Sequence, residues 1–417
     1  MTQSNFFLRE SCRMCDSSTL SKALSLTPTP PGNDFLTKDE LGRKEPIYPL
    51  DLYFCEECHH IQLGHVVSPT ILYQKNYSYI SSTSLHFVNH LKRYAKDMVE
   101  RFNLKPNDLV VDIGSNDGSC LRFFKEKGMN VLGVDPAIEI AEKANGNGIK
   151  TVADFFDYDL AIELRKEYGS AKYITSHNAC AHIDDLFNVV KGVEHLLDDD
   201  GLFVLEVGYF VDVYNNTWFD TIYHEHLDYH TVAPFEKLFA RVGMEVVSVE
   251  RIEPQGGSIR VMTQKIGGTI KRDKSVDDLI KLEHKLGLDR IDSLSQLNAK
   301  INSVRDNLQK LLYSLKKEGK KIAGFGAPTK ATTLMNHFGL NEKILDFIVD
   351  DNDLKQGLFT PITHIPILPP SVLYERKPDY LLILAWNFSD QIMKINKRYS
   401  DEVGRFILPM PSPSIVL

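Results

Sequence analysis

The chain has 417 residues, of which 43% are hydrophobic and 25% charged, with a formal net charge of −8. This is the composition of an ordinary soluble globular protein, and the length suits two to three domains. The acidic balance argues against a general nucleic-acid or anionic-membrane binder, and no apolar run approaches the ~18 residues that span a bilayer.

Two C-x2-C pairs come first, Cys12 with Cys15 and Cys55 with Cys58. Each such turn presents two thiolates to one side of an ion, and four thiolates complete the tetrahedral shell of Zn²⁺. A full shell leaves no open coordination position, so the expected ion is structural. The competing reading is two disulfides in a secreted module. The chain length, the further cysteines Cys120 and Cys180, and an N-terminus without a charged-then-apolar signal pattern favour zinc and a cytoplasmic protein. Residues 1–84 read as a zinc-binding module too small to rely on its own core.

An amphipathic helix is expected over 86–103, with Phe87, Leu91, Ala95, Met98 and Val99 on one face. Strand and helix signals then alternate. Strands are expected over 109–113, 131–134, 173–175 and 202–206, with helices over 121–127 and 186–197. Two late strands fall near 244–249 and 258–262. The alternation predicts a parallel α/β sheet with room for an antiparallel strand at its end. It defines a Rossmann-like domain over 85–270. A polar helical connector covers 271–312. A second Rossmann-like α/β unit occupies 313–417, with strands over 321–325, 344–349 and 380–385 and a helix from about Ala331.

The turn Val111-Asp-Ile-Gly-Ser-Asn-Asp-Gly118 joins a strand to a helix. Gly114 and Gly118 allow a tight turn and a close ligand, with Ser115 between them. Asp135 ends the next strand, where a carboxylate can accept both hydroxyls of a ribose. Asp154 and Phe155 follow the third strand region and suit adenine. A dinucleotide enzyme would want G-x-G-x-x-G, and Asp112 and Asp117 would repel a pyrophosphate. A cationic sulfonium fits an acidic loop better, so the pattern points to a class I S-adenosylmethionine (SAM) methyltransferase.

The run Thr221-Ile-Tyr-His-Glu-His-Leu-Asp-Tyr-His230 is the densest cluster of titratable groups. It follows the strand ending near Glu206, at the carboxyl edge of the sheet, where open α/β folds bind ligands. Asp228 stands where H-E-x-x-H would need a second histidine, which excludes that zinc-protease motif. A metal site from His226 and His230 lacks a clear third ligand. General base catalysis by His226, oriented by Glu225 or another carboxylate, is the favoured reading.

In sum these motifs resemble one family, the zinc-containing SAM-dependent C-methyltransferases of nucleotide-linked 4-keto-deoxysugars. The resemblance rests on the paired C-x2-C turns, Tyr77-Ser-Tyr-Ile-Ser-Ser-Thr-Ser84, Val111 to Gly118, Asn178 to Asp184, Tyr223 to His226, Gln255-Gly-Gly-Ser-Ile-Arg260 and Gly324 to Lys330, in that order. It implies a zinc module, a SAM domain and a C-terminal domain that helps to hold the sugar nucleotide. It implies His226 as the base with Tyr223 and Glu225 beside it. Tyr77, with Tyr79 as a near neighbour, stands for the active-site tyrosine, and Asn178 and His182 match an Asn-x-x-x-His motif. Cys180 and Gly208 depart from the family's usual bulky apolar residue and proline.

The C-terminal turn Gly324-Phe-Gly-Ala-Pro-Thr-Lys330 offers backbone N–H groups and a cation to an anion, with Gly326 inside it and Asp350 at the end of the next strand. By itself it is a weak signal; the resemblance assigns it the donor sugar's diphosphate. Ser258 and Arg260 are candidates to reach the same ligand, and a structural ion pair is the equal alternative for an arginine at a strand end. The resulting expectation is methylation at carbon three of a nucleotide-diphosphate 4-keto-6-deoxysugar, dTDP-linked. Sugar O-methylation and a non-catalytic zinc and SAM-fold binding protein are the rivals.

Overall fold

A computed structural model describes residues 5–73, 80–253 and 256–416. Tyr77, Tyr79 and Gln255 of the sequence reading lie outside the described residues.

The N-terminal segment forms a small antiparallel sheet from Leu20–Thr29, Tyr48–Cys55 and Ile61–Leu63. In Tyr48–Cys55 buried residues alternate with half-buried ones, the period of a strand with one face inward. A sheet this small must bury that face against something else. Leu50, Leu52 and Phe54 do so in one continuous core with Leu205, Phe235, Leu297 and Ile348 from the rest of the chain. The strand Asp228–Tyr229 crosses over from the His-rich run and pairs with Ile61–Leu63 as a fourth strand of this sheet. The zinc module is therefore built into the body of the protein.

Leu85–Arg101 is the first long helix. Ser84 caps it by accepting the Phe87 N–H, and Phe87, His90, Leu91, Tyr94, Ala95 and Met98 are buried at three- and four-residue spacing. It covers a seven-stranded sheet. Across that sheet the strands run Met244–Ile252, Ser258–Lys265, Leu197–Gly208, Ala171–His177, Leu109–Ile113, Asn130–Val134 and Thr151–Val152. Only Ser258–Lys265 runs against its neighbours. The chain leaves Leu109–Ile113 toward one edge and returns on the other side through Ala171–His177. Their carboxyl ends form the crevice where such sheets bind ligands.

The helices Lys274–Lys285 and Asp292–Lys317 form the expected connector. The second buries Leu294, Leu297, Ile301, Val304, Leu308, Leu312 and Leu315 on one stripe. The last sheet orders Ile367–Leu368, Ile348–Val349, Ile322–Phe325, Tyr380–Ile383, Arg405–Leu408 and Ser414–Val416, with the final strand antiparallel. The strand expected over 344–349 shortens to Ile348–Val349, because the residues before it form a turn.

Several contacts fix this last sheet to the rest. Leu36 bridges Phe359, Thr332 Oγ1 donates to the Gly32 carbonyl and Thr333 Oγ1 to the Ile222 carbonyl. Trp218 stacks on Trp386 with ring centroids 4.8 Å apart.

Candidate active site

The two knuckles of the zinc site are built alike. Asp16 N–H bonds the Cys12 carbonyl and His59 N–H the Cys55 carbonyl, both at 2.9 Å. The residue after each second cysteine, Asp16 or His59, turns through the left-handed region at φ of 66° or 65°. The four Sγ atoms lie within 4.8 Å of one another, with Cys12–Cys58 at 3.5 Å and Cys15–Cys55 at 3.6 Å. Zn–S bonds of about 2.3 Å place tetrahedral sulfurs about 3.8 Å apart, so the donor set fits the ion. No other group of ligand side chains among the described residues gathers this way.

At the first strand of the large sheet, Gly114 and Gly118 hold φ of 74° and 76°. A Cβ on Gly114 would stand 2.5 Å from Ala179 Cβ. Asp135 braces the turn by accepting Asn116 N–H at 2.8 Å and Ala137 N–H at 2.9 Å. Each carboxylate oxygen keeps a second lone pair for a ribose hydroxyl. Asp112 Oδ1 and Ser115 Oγ are buried without a hydrogen-bond partner, and burial pushes the Asp112 carboxyl up to about 7. Orphaned polar atoms at the crevice suit a polar cationic ligand. Ser81 and Ser82 N–H bond Asn116 and Asp117, so the segment before the first long helix closes on this turn. Asp154 and Phe155 are exposed past Thr151–Val152. Asn178 takes φ 61° and bonds the Glu206 carbonyl through its N–H.

The His-rich run lies across the crevice. His226 Nδ1 is 2.9 Å from the Thr221 carbonyl and Nε2 is 2.8 Å from the Tyr223 hydroxyl. The orienting acceptor is thus a backbone carbonyl, not the carboxylate expected from Glu225. Glu225 turns away to accept from Asn33 Nδ2 at 3.2 Å. His182 meets His226 edge to face, centroids 5.0 Å apart. His226 is half-buried, and burial pushes its imidazole down to about 4, the Lys330 charge adding to this. Burial lowers His182 to about 3 and raises Glu225 to about 7. His230 stacks on Phe235, centroids 4.7 Å apart, and shares no metal geometry with His226.

The C-terminal turn faces this run. Gly326 has φ 86°, and a Cβ there would stand 2.6 Å from Ala385 Cβ. Lys330 Nζ lies 3.5 Å from the Trp386 ring centroid and 2.8 Å from Asn387 Oδ1, and burial lowers it to about 8. Asp350 accepts Ala327 N–H at 2.6 Å and Asn352 N–H at 2.8 Å, shaping the turn.

Of the two readings for Arg260, the geometry matches the structural ion pair. Its guanidinium lies 2.8 Å from Glu206 and 3.0 Å from Glu250, over the Tyr94 ring. Both carboxylates neutralise it, so it braces the sheet rather than waiting for a phosphate. Ser258 is buried at the start of the same strand.

Family models match three consecutive pieces: a putative zinc binding domain over 12–73, a methyltransferase domain over 87–249 and a C-methyltransferase C-terminal domain over 253–411. The C-methyltransferase NovU of Streptomyces niveus is 33% identical over 407 residues, covering 98% of this chain and 97% of NovU. The chain belongs to the zinc-containing, SAM-dependent C-methyltransferases. Two solved structures, each 14% identical, are similar to part of the chain. ChlM, the magnesium protoporphyrin IX methyltransferase of Synechocystis PCC 6803 with bound SAM, covers 43% of this chain and 79% of its own, with a TM-score of 0.33. The PH0226 protein of Pyrococcus horikoshii OT3 covers 46% and 97%, with a TM-score of 0.36.

SAM and zinc are the cofactors of this C-methyltransferase, and no helix among its described residues is long and apolar enough to cross a membrane. Residues that sequence reasoning passed over lie beside the candidate site groups. Asn33 bridges Glu225 and the Thr329 hydroxyl, the latter at 2.8 Å. Lys355 reaches the Ala327 carbonyl at 2.9 Å and lies close enough to Glu225 to draw its carboxyl down. Asp220 accepts from Trp386 Nε1 at 2.7 Å, and burial raises its carboxyl to about 6. Pro30-Pro-Gly-Asn33 and a tryptophan count of two were the available signals.

Proposed function

We propose that the enzyme methylates carbon three of a nucleotide-diphosphate 4-keto-6-deoxysugar, with His226 as general base. The observation that carries this reading is the His226 arrangement. With Nδ1–H donated to the Thr221 carbonyl, the lone pair lies on Nε2, toward Tyr223 and the cleft. Burial keeps that imidazole neutral through the physiological range, ready to take a proton.

The hydrogen on carbon three is acidic because the adjacent keto group receives the charge. When substrate enters, the Tyr223 hydroxyl turns from Nε2 to the keto oxygen, and Nε2 takes the carbon-bound proton. Tyr223, His182 and Tyr77 are the donors proposed for the enolate oxygen. SAM supplies the electrophilic methyl. The turn at Gly114, with Ser115, Asp135, Asn178, Asp154 and Phe155, is assigned to hold it, and fixing the two reactants in line supplies much of the acceleration. Glu225, buried beside Asn33 and Lys355, is assigned to a sugar hydroxyl.

Lys330, Gly326 and Asp350 are assigned to the diphosphate end. Lys330 lies close enough to His226 for its charge to lower the imidazole, and a cation there complements the diphosphate, which stays bonded to the sugar throughout the reaction. The NovU match supports a sugar substrate, and dTDP is the nucleotide proposed. Reduced zinc thiolates support a cytoplasmic setting. The boundaries proposed for the functional units are 1–84, 85–270, 271–312 and 313–417.

The deciding experiment is mass spectrometry of the enzyme with SAM and dTDP-4-keto-6-deoxyglucose in deuterated water, with NMR of the product. A new carbon-bound methyl at carbon three supports the reading. A methyl on oxygen assigns the enzyme to O-methylation and makes the hydroxyl the site of deprotonation.

A further inference from the structure

Arg13 stands inside the first zinc knuckle, directly after Cys12. Zinc coordination asks for no cation there, yet the Arg13 side chain is fully buried. Burying a guanidinium is costly unless its hydrogens meet well-placed acceptors, so the position of those acceptors is informative.

Most of them belong to the two active-site loops, and one, the Leu63 carbonyl, to the zinc module's own sheet. Arg13 Nε and Nη2 lie 3.1 and 2.9 Å from Asp184 Oδ1. Nη1 donates to the carbonyls of Leu63 at 2.9 Å and Leu227 at 3.4 Å. Nε is 4.0 Å from Asp228 Oδ2. Asp184 comes two residues after His182, and Asp228 two residues after His226. The second knuckle joins in: His60, two residues past Cys58, has Nε2 at 2.6 Å from Asp228 Oδ1. The loops also meet directly, Leu227 N–H donating to the Ala181 carbonyl at 2.7 Å.

Both knuckles therefore converge on the residues that set the separation of His182 and His226. We propose that Arg13 is a positioning residue that couples zinc occupancy to the spacing of these two histidines. The inference rests on the reading above only in taking the pair to flank the reacting carbon. The zinc site is then part of the active-site scaffold, and losing the ion relaxes the histidine loops before it unfolds the enzyme.

The test uses the full-length, zinc-loaded enzyme with Arg13→Met and, away from the knuckle, Asp184→Asn. Hydrogen exchange of peptides covering 178–184 and 221–230 is compared with peptides of the Gly114 turn and the C-terminal sheet. In parallel kcat, KM for the sugar nucleotide and SAM affinity are measured. Expected is faster exchange confined to the two histidine loops, kcat lower by about 10²-fold as for a misplaced reacting group, and SAM affinity unchanged. Chelating zinc from the wild type should reproduce the same exchange pattern. Protection unchanged in both variants overturns the proposal. So does a uniform rise in exchange over the whole chain, with kcat falling only in step with the folded fraction. Should Arg13→Met fail to hold zinc, Asp184→Asn alone decides by the same readings. If His226→Asn kept full activity, the base assignment would fall, while the exchange pattern would still decide the role of Arg13.

Discussion

The Tyr223 hydroxyl lies 2.8 Å from His226 Nε2 while the Thr221 carbonyl holds Nδ1 from the other side of the ring. One hydrogen bond sets the tautomer and the other keeps the lone pair aimed at the cleft. His226→Asn should therefore leave SAM affinity intact and lower turnover by about 10²–10⁴-fold, the usual share of general base catalysis. Tyr223→Phe should lower kcat less, since Nε2 keeps its lone pair and only one enolate donor is lost. A Tyr223→Phe loss equal to that of His226→Asn would instead make the phenol the proton acceptor, with His226 behind it. Single-turnover methyl transfer measures both.

Lys330 is the cation of the C-terminal turn, lowered to about 8 by burial. Lys330→Met should raise KM for the sugar nucleotide by about 10–100-fold, the worth of a charged hydrogen bond to phosphate, with SAM affinity unchanged. In the wild-type enzyme, binding of the sugar nucleotide should weaken above about pH 8 as the free ammonium loses its proton, and this dependence should vanish in Lys330→Met. Calorimetry across pH 7 to 9 compares the two.

Gly114 combines φ of 74° with a neighbour that leaves no space for a side chain. Gly114→Ala adds about 1–2 kcal/mol of backbone strain and forces Ala179 aside. Moving Ala179 displaces Asn178 on the facing strand end. SAM affinity should fall about tenfold or more, since each 1.4 kcal/mol is a factor of ten. Equal SAM affinity in equilibrium binding would show that the turn does not approach the ligand.

His230 is buried against Phe235 with neither ring nitrogen hydrogen-bonded among the described residues, and burial lowers it to about 3. The unfolded chain binds a proton at the ordinary imidazole value of ~6.5, while the folded one does not until about pH 3. Between those values the unfolded state holds more protons, so His230 subtracts stability as pH falls. His230→Phe removes this, and its stability relative to wild type should improve by up to ~1.4 kcal/mol per pH unit below 6.5. Urea unfolding at pH 7, 6 and 5 reads the difference; a constant offset would contradict the buried neutral histidine.

Much of the fold was legible because its signals are local. The alternation of apolar strand cores with amphipathic helices located every strand of the middle sheet that the reading named, as in Leu109–Ile113 and Ala171–His177. The short strand at Ile348–Val349 was overextended, since a run of apolar residues buries equally well in a turn. The partners of Arg260 were left open and that of Glu225 was misjudged for a different reason. Their charges are visible in sequence, but Glu250, Glu206 and Asn33, which engage them, are 10, 54 and 192 positions away.

By itself the sequence determined the zinc ligands, the glycine turn and the His-rich run, because coordination spacing, left-handed backbone and dense titratable groups depend on neighbours along the chain. Tertiary structure alone decided that Asp228–Tyr229 completes the zinc module's sheet, that Lys330 comes near enough for its charge to lower the His226 imidazole, and that Arg13 spans Asp184 and Asp228. Those relationships arise when separate apolar faces are buried in one core. The burial then dictates which charges must meet, since a buried ion is tolerated only beside its partner.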